Sequence, residues 1–205
     1  MLGGQLNRNA ISWLMEQQVC KFNMIEGQKE ISMTQVFSGR YTAHIDEPFV
    51  VFLIGMRVNQ PFRFRKWLPV ARAMSPMVQE LYDNPELGFL GAENFFRLFP
   101  ITTLMLSYWR SFDHLEQYSR SKDHEHLPAW HKFNQAIGTD GSVGIWHETY
   151  LVSAGQHETF YGNMPKFGLG IAFDHVPAVG PRETARRRLG GESEPGVPSP
   201  ETSGT

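Results

Sequence analysis

The side chains best suited to chemistry lie close together in one apolar run near the C-terminal third of the chain. The segment SVGIWHETYLV, residues 142–152, contains Trp146, His147, Glu148 and Tyr150. Because side chains alternate between the two faces of a strand, His147 points away from Glu148. If Trp146, Glu148 and Tyr150 line a cavity, burial would raise the pKa of the Glu148 carboxyl, as a proton acceptor requires. If the opposite face lines it, His147 is the titratable group, and the sequence leaves both arrangements open. A third interpretation is that these polar residues only satisfy each other at a sheet edge.

A second group of candidates stands at the ends of two other apolar runs. Trp109 and Arg110 close one run, and Arg57 closes another. Arginine with aromatic walls suits an anionic or phenolate-like ligand through charge-assisted hydrogen bonds and stacking. The alternative is that the aromatic rings pack the core.

The eight histidines raise the question of a metal or haem site. The HEH triplet at 124–126 does not have the spacing of a zinc motif, so we expect no metal site there. His131 stands between Trp130 and Phe133 on a predicted helix, where it could be an axial haem ligand or an ordinary packing residue.

The periodicities predict the elements that must position these residues. Predicted strands cover 49–58, 88–99, 101–110 and 142–152, and predicted helices cover 64–82, 112–119 and 127–137. Ser111 is placed to cap the helix that starts at 112. With 112–119 and its continuation 127–137 counted as the second helical region, the order β-α-β-β-α-β is that of a ferredoxin-like α+β fold, with both helical regions on one face of an antiparallel sheet. Since the strands are apolar on both sides, either a second subunit or residues 153–179 must cover the other face, and we expect a homodimer.

Composition sets the limits of the fold and the class of partner. We expect an accessory segment over 1–36, one domain over 37–179 and a disordered tail over 180–205, where proline, glycine and serine dominate. A net charge of -2 argues against a nucleic-acid partner. No apolar run is long enough to cross a membrane, no signal peptide is evident, and the single Cys20 suits a reducing compartment. The expected location is therefore cytoplasmic.

Several segments together resemble a monooxygenase-like family within the dimeric α/β-barrel superfamily. They are GRYTAHIDEPFVVFLIGMRVN (39–59), KWLPVARAM (66–74), YWRSFDHLEQYSR (108–120), HLPAWHKFN (126–134), VGIWHETYLV (143–152) and YGNMPKFGLG (161–170). The superfamily resemblance implies that two ferredoxin-like units pair their sheets into a barrel. It also implies that Tyr161, Asn163 and Met164 form a wall or lid over the cavity; the alternative is that this segment is a loop sealing the edge of the fourth strand.

The resemblance implies an oxidoreductase of the monooxygenase type acting on a small apolar or aromatic molecule. His147 or Glu148 would abstract a proton, Arg110 or Arg57 would stabilise the anion, and Trp109, Trp146 and Tyr150 would contact the substrate, with no cofactor required. The first alternative is a haem enzyme with His131 or His147 as axial ligand. The second is a non-catalytic, ligand-binding dimer.

Overall fold

The computed structural model describes residues 35–121 and 140–191. Seven strands are present in these ranges: β1 (Phe37–His44), β2 (Phe49–Val58), β3 (Phe89–Arg97), β4 (Thr102–Trp109), β5 (Val143–Val152), β6 (Tyr161–Met164) and β7 (Asp174–Pro177). The α-helices are α1 (Phe64–Asp83), α2 (Phe112–Arg120), α3 (Leu169–Ala172) and α4 (Ala185–Arg188). Short 3₁₀ helices occupy Pro85–Leu87 and Gly180–Arg182.

The larger sheet confirms the predicted ferredoxin-like fold. Its strand order is β3-β4-β2-β5, and every neighbouring pair is antiparallel. The first and third strands of the β-α-β-β-α-β unit, β2 and β4, therefore lie in the centre. The boundaries of β2 and α2 agree with the sequence to within a residue, and the side chain of Ser111 accepts a hydrogen bond from His114 N as the cap of α2. The predicted helix over 127–137 lies outside the described residues.

Two apolar clusters join the helices to one face of this sheet. In the first, Leu81 of α1 and Leu115 of α2 pack around Val50 and Trp109. In the second, Trp67 packs against Met56, Val58 and Val143. We call the face that carries these residues the helix side and the opposite face the outer face. Burial of these large side chains stabilises the two layers by roughly 1.5–3 kcal/mol each.

A second, smaller sheet was not predicted from the sequence. Its order is β6-β1-β7, with β1 antiparallel to both neighbours. The chain after β6 crosses part of the outer face, where Tyr161 packs with Phe49 and Tyr108, and Phe167 and Phe173 pack around them. We call residues 161–173 the cover segment. Of the two predicted covers for this face, residues 153–179 thus provide one.

Ordered structure continues beyond residue 179, where the sequence predicted the tail to begin. The Arg188 side chain is only 8% exposed, and its guanidinium pairs with Glu158 and donates to the carbonyls of Arg182 and Glu183. These contacts hold α4 and the preceding 3₁₀ helix against the loop between β5 and β6. Residues 192–205, the rest of the predicted tail, and residues 1–34, nearly all of the predicted accessory segment, lie outside the described residues.

Within the described ranges, none of the helices combines the length and the apolar character needed to cross a membrane.

Candidate functional site

The outer face of the larger sheet carries polar residues at the two ends of apolar rows. The strand register aligns Glu93 of β3, Leu106 of β4, Leu53 of β2 and Glu148 of β5 in one row. Adjacent strands are about 4.8 Å apart, so the backbones of the two glutamates are separated by roughly 14 Å. Two carboxyl groups therefore stand at opposite edges of an apolar floor.

The next row of the same face places two aromatic side chains, Phe95 and Trp146, beside this floor. It consists of Phe95, Leu104, Gly55 and Trp146. A Cβ atom on Gly55 would lie 2.7 Å from Trp146 Nε1, so the indole lies directly over this glycine. Only glycine leaves room for the indole to approach the central strand this closely.

The two remaining rows complete the face. One runs from Gly91 through Tyr108 and Val51 to Tyr150, and the other contains Thr102, Arg57 and Gly144. The Tyr150 hydroxyl donates a short hydrogen bond to the Glu148 carboxylate. That bond, followed by the charge of Glu148, raises the pKa of Tyr150. Four predicted site residues thus share the outer face: Arg57, Trp146, Glu148 and Tyr150.

At the opposite edge, the cover segment meets the sheet around a half-buried carboxyl group, that of Glu93. Gly168 N donates to Glu93 Oε1 at 3.0 Å. A Cβ atom built on Gly168 would lie 3.1 Å from the Tyr108 hydroxyl and 4.0 Å from the Tyr161 hydroxyl. Since Gly168 also has a φ of 56°, glycine is favoured there both by conformation and by space. Glu93, Tyr108 and Tyr161 form what we call the seam cluster.

Burial dominates the electrostatics of the seam cluster. Desolvation raises the pKa of the Glu93 carboxyl, partly offset by the hydrogen bond from Gly168. Desolvation, then the nearby Tyr161 and Glu93, raises the pKa of Tyr108 to about 12. The pKa of Tyr161 is also raised, chiefly by burial, although its hydroxyl accepts a hydrogen bond from Gly170 N at 3.0 Å. Both phenols therefore stay protonated at neutral pH, where they can donate hydrogen bonds.

The structure separates the other predicted residues from this face. His147 lies on the helix side, where its ring centroid is 5.8 Å from that of Phe52. Trp109 is 1% exposed in the helix-side core, and its indole N–H donates to Ser107 Oγ at 3.1 Å. Arg110 follows β4 and is exposed, and its backbone N–H donates to Gly88 O. His147 and Arg110 therefore do not meet Glu148 in one site.

The predicted lid residues fall into two groups. Tyr161 belongs to the seam cluster. Asn163 and Met164 are exposed at the end of β6, where Asn163 Oδ1 accepts a hydrogen bond from Gly39 N and Met164 pairs with Phe37 of β1. The side chain of Asn163 and the backbone of Met164 thus contribute to the small sheet rather than to the floor of the outer face.

The surroundings of His147 bear on the haem alternative. In the described ranges, His147 is an exposed strand residue, and the aromatic ring against it is that of Phe52. This surrounding does not fit a buried axial ligand, and we derive no step through haem. The other candidate ligand, His131, lies outside the described residues.

Glu93 is the functional candidate that sequence reasoning missed. It is the one acidic residue in the predicted strand GFLGAENFFRLF, which is mainly apolar. A single carboxylate within an apolar strand is the signal that could have identified it, because a buried charge needs a reason. Tyr108 precedes Trp109 in the same predicted strand, and the sequence does not indicate which face of the sheet it occupies.

Comparisons with known proteins identify relatives of this fold and sequence. Residues 49–169, more than half of the chain, match the family model described as "Monooxygenase af470-like". Monooxygenase af470 of Aspergillus fumigatus is 30% identical over 158 residues, which are 67% of this chain and 55% of the relative. The chain thus spans about half the length of this curated relative.

Two solved structures share the fold at low sequence identity. An aldoxime dehydratase, OxdRE, crystallised with butyraldoxime, superposes with a TM-score of 0.55 at 18% identity, covering 66% of this chain and 40% of that one. A second aldoxime dehydratase gives 0.53 at 19% identity, covering 68% and 44%. These structures support the fold alone. The family match, together with the ferredoxin-like sheet, shows that the chain belongs to the monooxygenase af470-like family.

Proposed function

We propose that the protein is an oxidoreductase of the monooxygenase type that acts on a small apolar or aromatic molecule held against the outer face. One observation carries this proposal: the apolar floor formed by Leu53 and Leu106 ends in a carboxyl group at each edge. A floor of this kind binds a flat apolar skeleton, while the edge groups bind or deprotonate its polar ends. Membership of the monooxygenase af470-like family supports the reaction class.

The proposed reaction takes its electrons from the substrate itself. A carboxylate removes a proton from an activated CH₂ group, and the resulting carbanion passes electrons to dioxygen to form a carbon–oxygen bond. Protonation gives a hydroperoxide, which loses water to leave a carbonyl. In sum, CH₂ and O₂ become C=O and H₂O, so no external reductant is needed.

Among the predicted proton acceptors, the geometry favours Glu148 over His147. Glu148 shares the outer face with Trp146 and with Arg57, whose positive charge suits a developing anion. Its hydrogen bond from Tyr150 fixes the carboxylate. His147 points to the helix side, so it serves as the matched comparison on the same strand.

A second copy of the chain is proposed to cover the rest of the outer face. The cover segment packs over Phe49, Tyr108 and their neighbours, whereas Tyr150 remains 51% exposed and Phe95 44% exposed. Exposed aromatic side chains on a sheet face are characteristic of an interface. Pairing of two such faces would enclose the floor in a barrel.

Oxygen uptake with a panel of activated aromatic CH₂ compounds tests the proposed reaction. We expect uptake with at least one compound, incorporation of one ¹⁸O atom from ¹⁸O₂ into product, and a loss of at least about 100-fold in Glu148→Gln. His147→Gln is the control and should retain turnover. Loss of turnover in His147→Gln but not in Glu148→Gln would contradict the assignment to the outer face.

A non-catalytic binding dimer is the second candidate, favoured by the pairing of Glu148 with Tyr150, which leaves the carboxylate already satisfied. In that case a panel compound would bind stoichiometrically and be recovered unchanged after incubation under oxygen.

A further inference from the structure

The Tyr108 hydroxyl differs from the other buried tyrosine hydroxyls with which it can be compared. The Tyr108 side chain is 6% exposed, yet its hydroxyl forms no hydrogen bond within residues 35–121 and 140–191. The Tyr161 hydroxyl accepts from Gly170 N, and the Tyr118 hydroxyl donates to Glu80 Oε2 at 3.1 Å. The hydroxyl is not one of the enclosed polar atoms without a partner, so it reaches solvent at the end of an otherwise buried side chain and is free to take a hydrogen-bond partner from outside the fold.

The direction of this hydroxyl is set by the cover segment and by Glu93. It lies beside Gly168, at 3.1 Å from the position of an added Cβ atom. The Glu93 carboxylate, which is held by the Gly168 N–H, is near enough for its charge to act on Tyr108. Tyr108 and Glu93 stand on adjacent strands of the outer face, at diagonal positions of the register. A protonated phenol and a carboxylate therefore lie together at the end of the apolar floor.

From this geometry we infer a ligand subsite for a hydroxyl group attached to an aromatic or enolic carbon. Such a group donates a hydrogen bond to the Glu93 carboxylate and accepts one from the Tyr108 hydroxyl. The ligand hydroxyl therefore provides a hydrogen-bond partner for each of these two side chains. Leu106, the neighbour of Glu93 in the register, supports the attached ring. The subsite rests on the proposed function for its substrate class, and it is a binding and positioning site at the edge opposite Glu148.

The inference predicts discrimination between a hydroxylated aromatic compound and its methyl ether. The probes are 2-naphthol and 2-methoxynaphthalene, which share a skeleton but differ in the ability to donate a hydrogen bond. Binding is measured by calorimetry under nitrogen, so that turnover is not needed. The wild-type protein should bind 2-naphthol at least about tenfold more tightly than the ether.

Two variants and a matched control assign the discrimination to the seam cluster. Tyr108→Phe and Glu93→Gln should each reduce the affinity ratio to within about threefold, and Tyr108→Phe should leave the melting temperature unchanged because no internal hydrogen bond is lost. Tyr118→Phe removes an equally buried hydroxyl on the helix side. It should lower the melting temperature and leave the ratio unchanged.

Equal affinity of the wild-type protein for both probes would overturn the subsite. So would a ratio that persists in both Tyr108→Phe and Glu93→Gln, or a failure of 2-naphthol to bind at about 1 mM. Oxygen uptake distinguishes the two proposals. Discrimination between the probes without oxygen uptake would rule out the monooxygenase reaction and retain the subsite. Oxygen uptake without discrimination would rule out the subsite and retain the monooxygenase reaction.

Discussion

Single carboxyl groups behave differently at the two edges of the outer face. Glu148 is exposed and fixed by Tyr150, whereas Glu93 is held between the sheet and the cover segment by a backbone N–H. Desolvation therefore raises the pKa of Glu93, and the ionised carboxylate is the form that folding disfavours.

Glu93→Gln should increase stability at neutral pH. A folded-state pKa above the ordinary value of 4.5 means that the unfolded state ionises more readily, so stability declines as the pH rises through the folded-state pKa. Glutamine keeps an oxygen that can accept from Gly168 N and carries no charge. We expect a higher melting temperature than wild type at pH 7, with the difference disappearing as the pH approaches 4.

Differential scanning fluorimetry across pH 4 to 8 measures this effect. The control is Glu86→Gln, an exposed carboxylate in the 3₁₀ helix before β3, which should change the melting temperature little at any pH. A lower melting temperature for Glu93→Gln at pH 7 would show that the charge itself stabilises the fold.

At the scale of secondary structure, Gly55 determines how the centre of the outer face is built. An added Cβ would lie 2.7 Å from the carbonyl oxygen of Thr103, a backbone atom that cannot move aside without disturbing β4. It would also displace Trp146. On Gly144, in contrast, the nearest atom to an added Cβ is Asn59 Nδ2 at 3.7 Å, an ordinary contact.

Gly55→Ala should destabilise the protein by about 1–3 kcal/mol, whereas Gly144→Ala should change the free energy of unfolding by less than about 0.5 kcal/mol. Urea denaturation followed by circular dichroism gives both values. Gly55→Ala should also alter the near-ultraviolet spectrum, because the indole of Trp146 must move. Equal stability of the two variants would mean that Trp146 does not lie over Gly55.

The elements of the larger sheet could be predicted from sequence because each is long and strongly patterned. The run Phe49–Val58 is apolar throughout, and α1 repeats apolar residues at helical spacing. The strands β6 and β7 have four residues each and little apolar character, so no local pattern distinguishes them from loops. They form because β1 supplies hydrogen bonds to both, which is a long-range effect.

The facing of β5 could not be predicted for a related reason. Both of its side-chain sets contain apolar and polar residues, so alternation alone does not say which set packs against the helices. The structure answers this through Val143 and Ile145, which join the cluster around Trp67 and thereby put His147 on the same side. The outer face therefore carries Trp146, Glu148 and Tyr150.

At the scale of the whole molecule, the cover segment packs over one part of the outer face, and within residues 35–121 and 140–191 the aromatic side chains of Tyr150 and Phe95 on this face are exposed. The proposed dimer would place Leu53, in the middle of the four-residue row, at the centre of the interface. Leu53→Asp should convert the dimer to a monomer, since a charge buried in an apolar interface is costly. Leu151→Asp is the matched control, because Leu151 is 70% exposed on the opposite side of β5.

Sedimentation velocity at about 10–50 µM, above the dissociation constant of a stable dimer, distinguishes these states. Wild type and Leu151→Asp should sediment as dimers and Leu53→Asp as a folded monomer, with folding checked by circular dichroism. A monomeric wild-type protein, or a dimeric Leu53→Asp, would rule out pairing through this face.

The position of β1 between β6 and β7 ties the cover segment to the start of the domain. Both ends of the cover segment are attached to a strand that pairs with β1, since Tyr161 pairs with Tyr41 and Asp174 with His44. Detachment of β1 would release β6, β7 and the residues between them as one cooperative unit. Their amide protons should therefore exchange at a common rate that is faster than that of the larger sheet, and the opening of this unit would set the speed at which a ligand reaches Glu93.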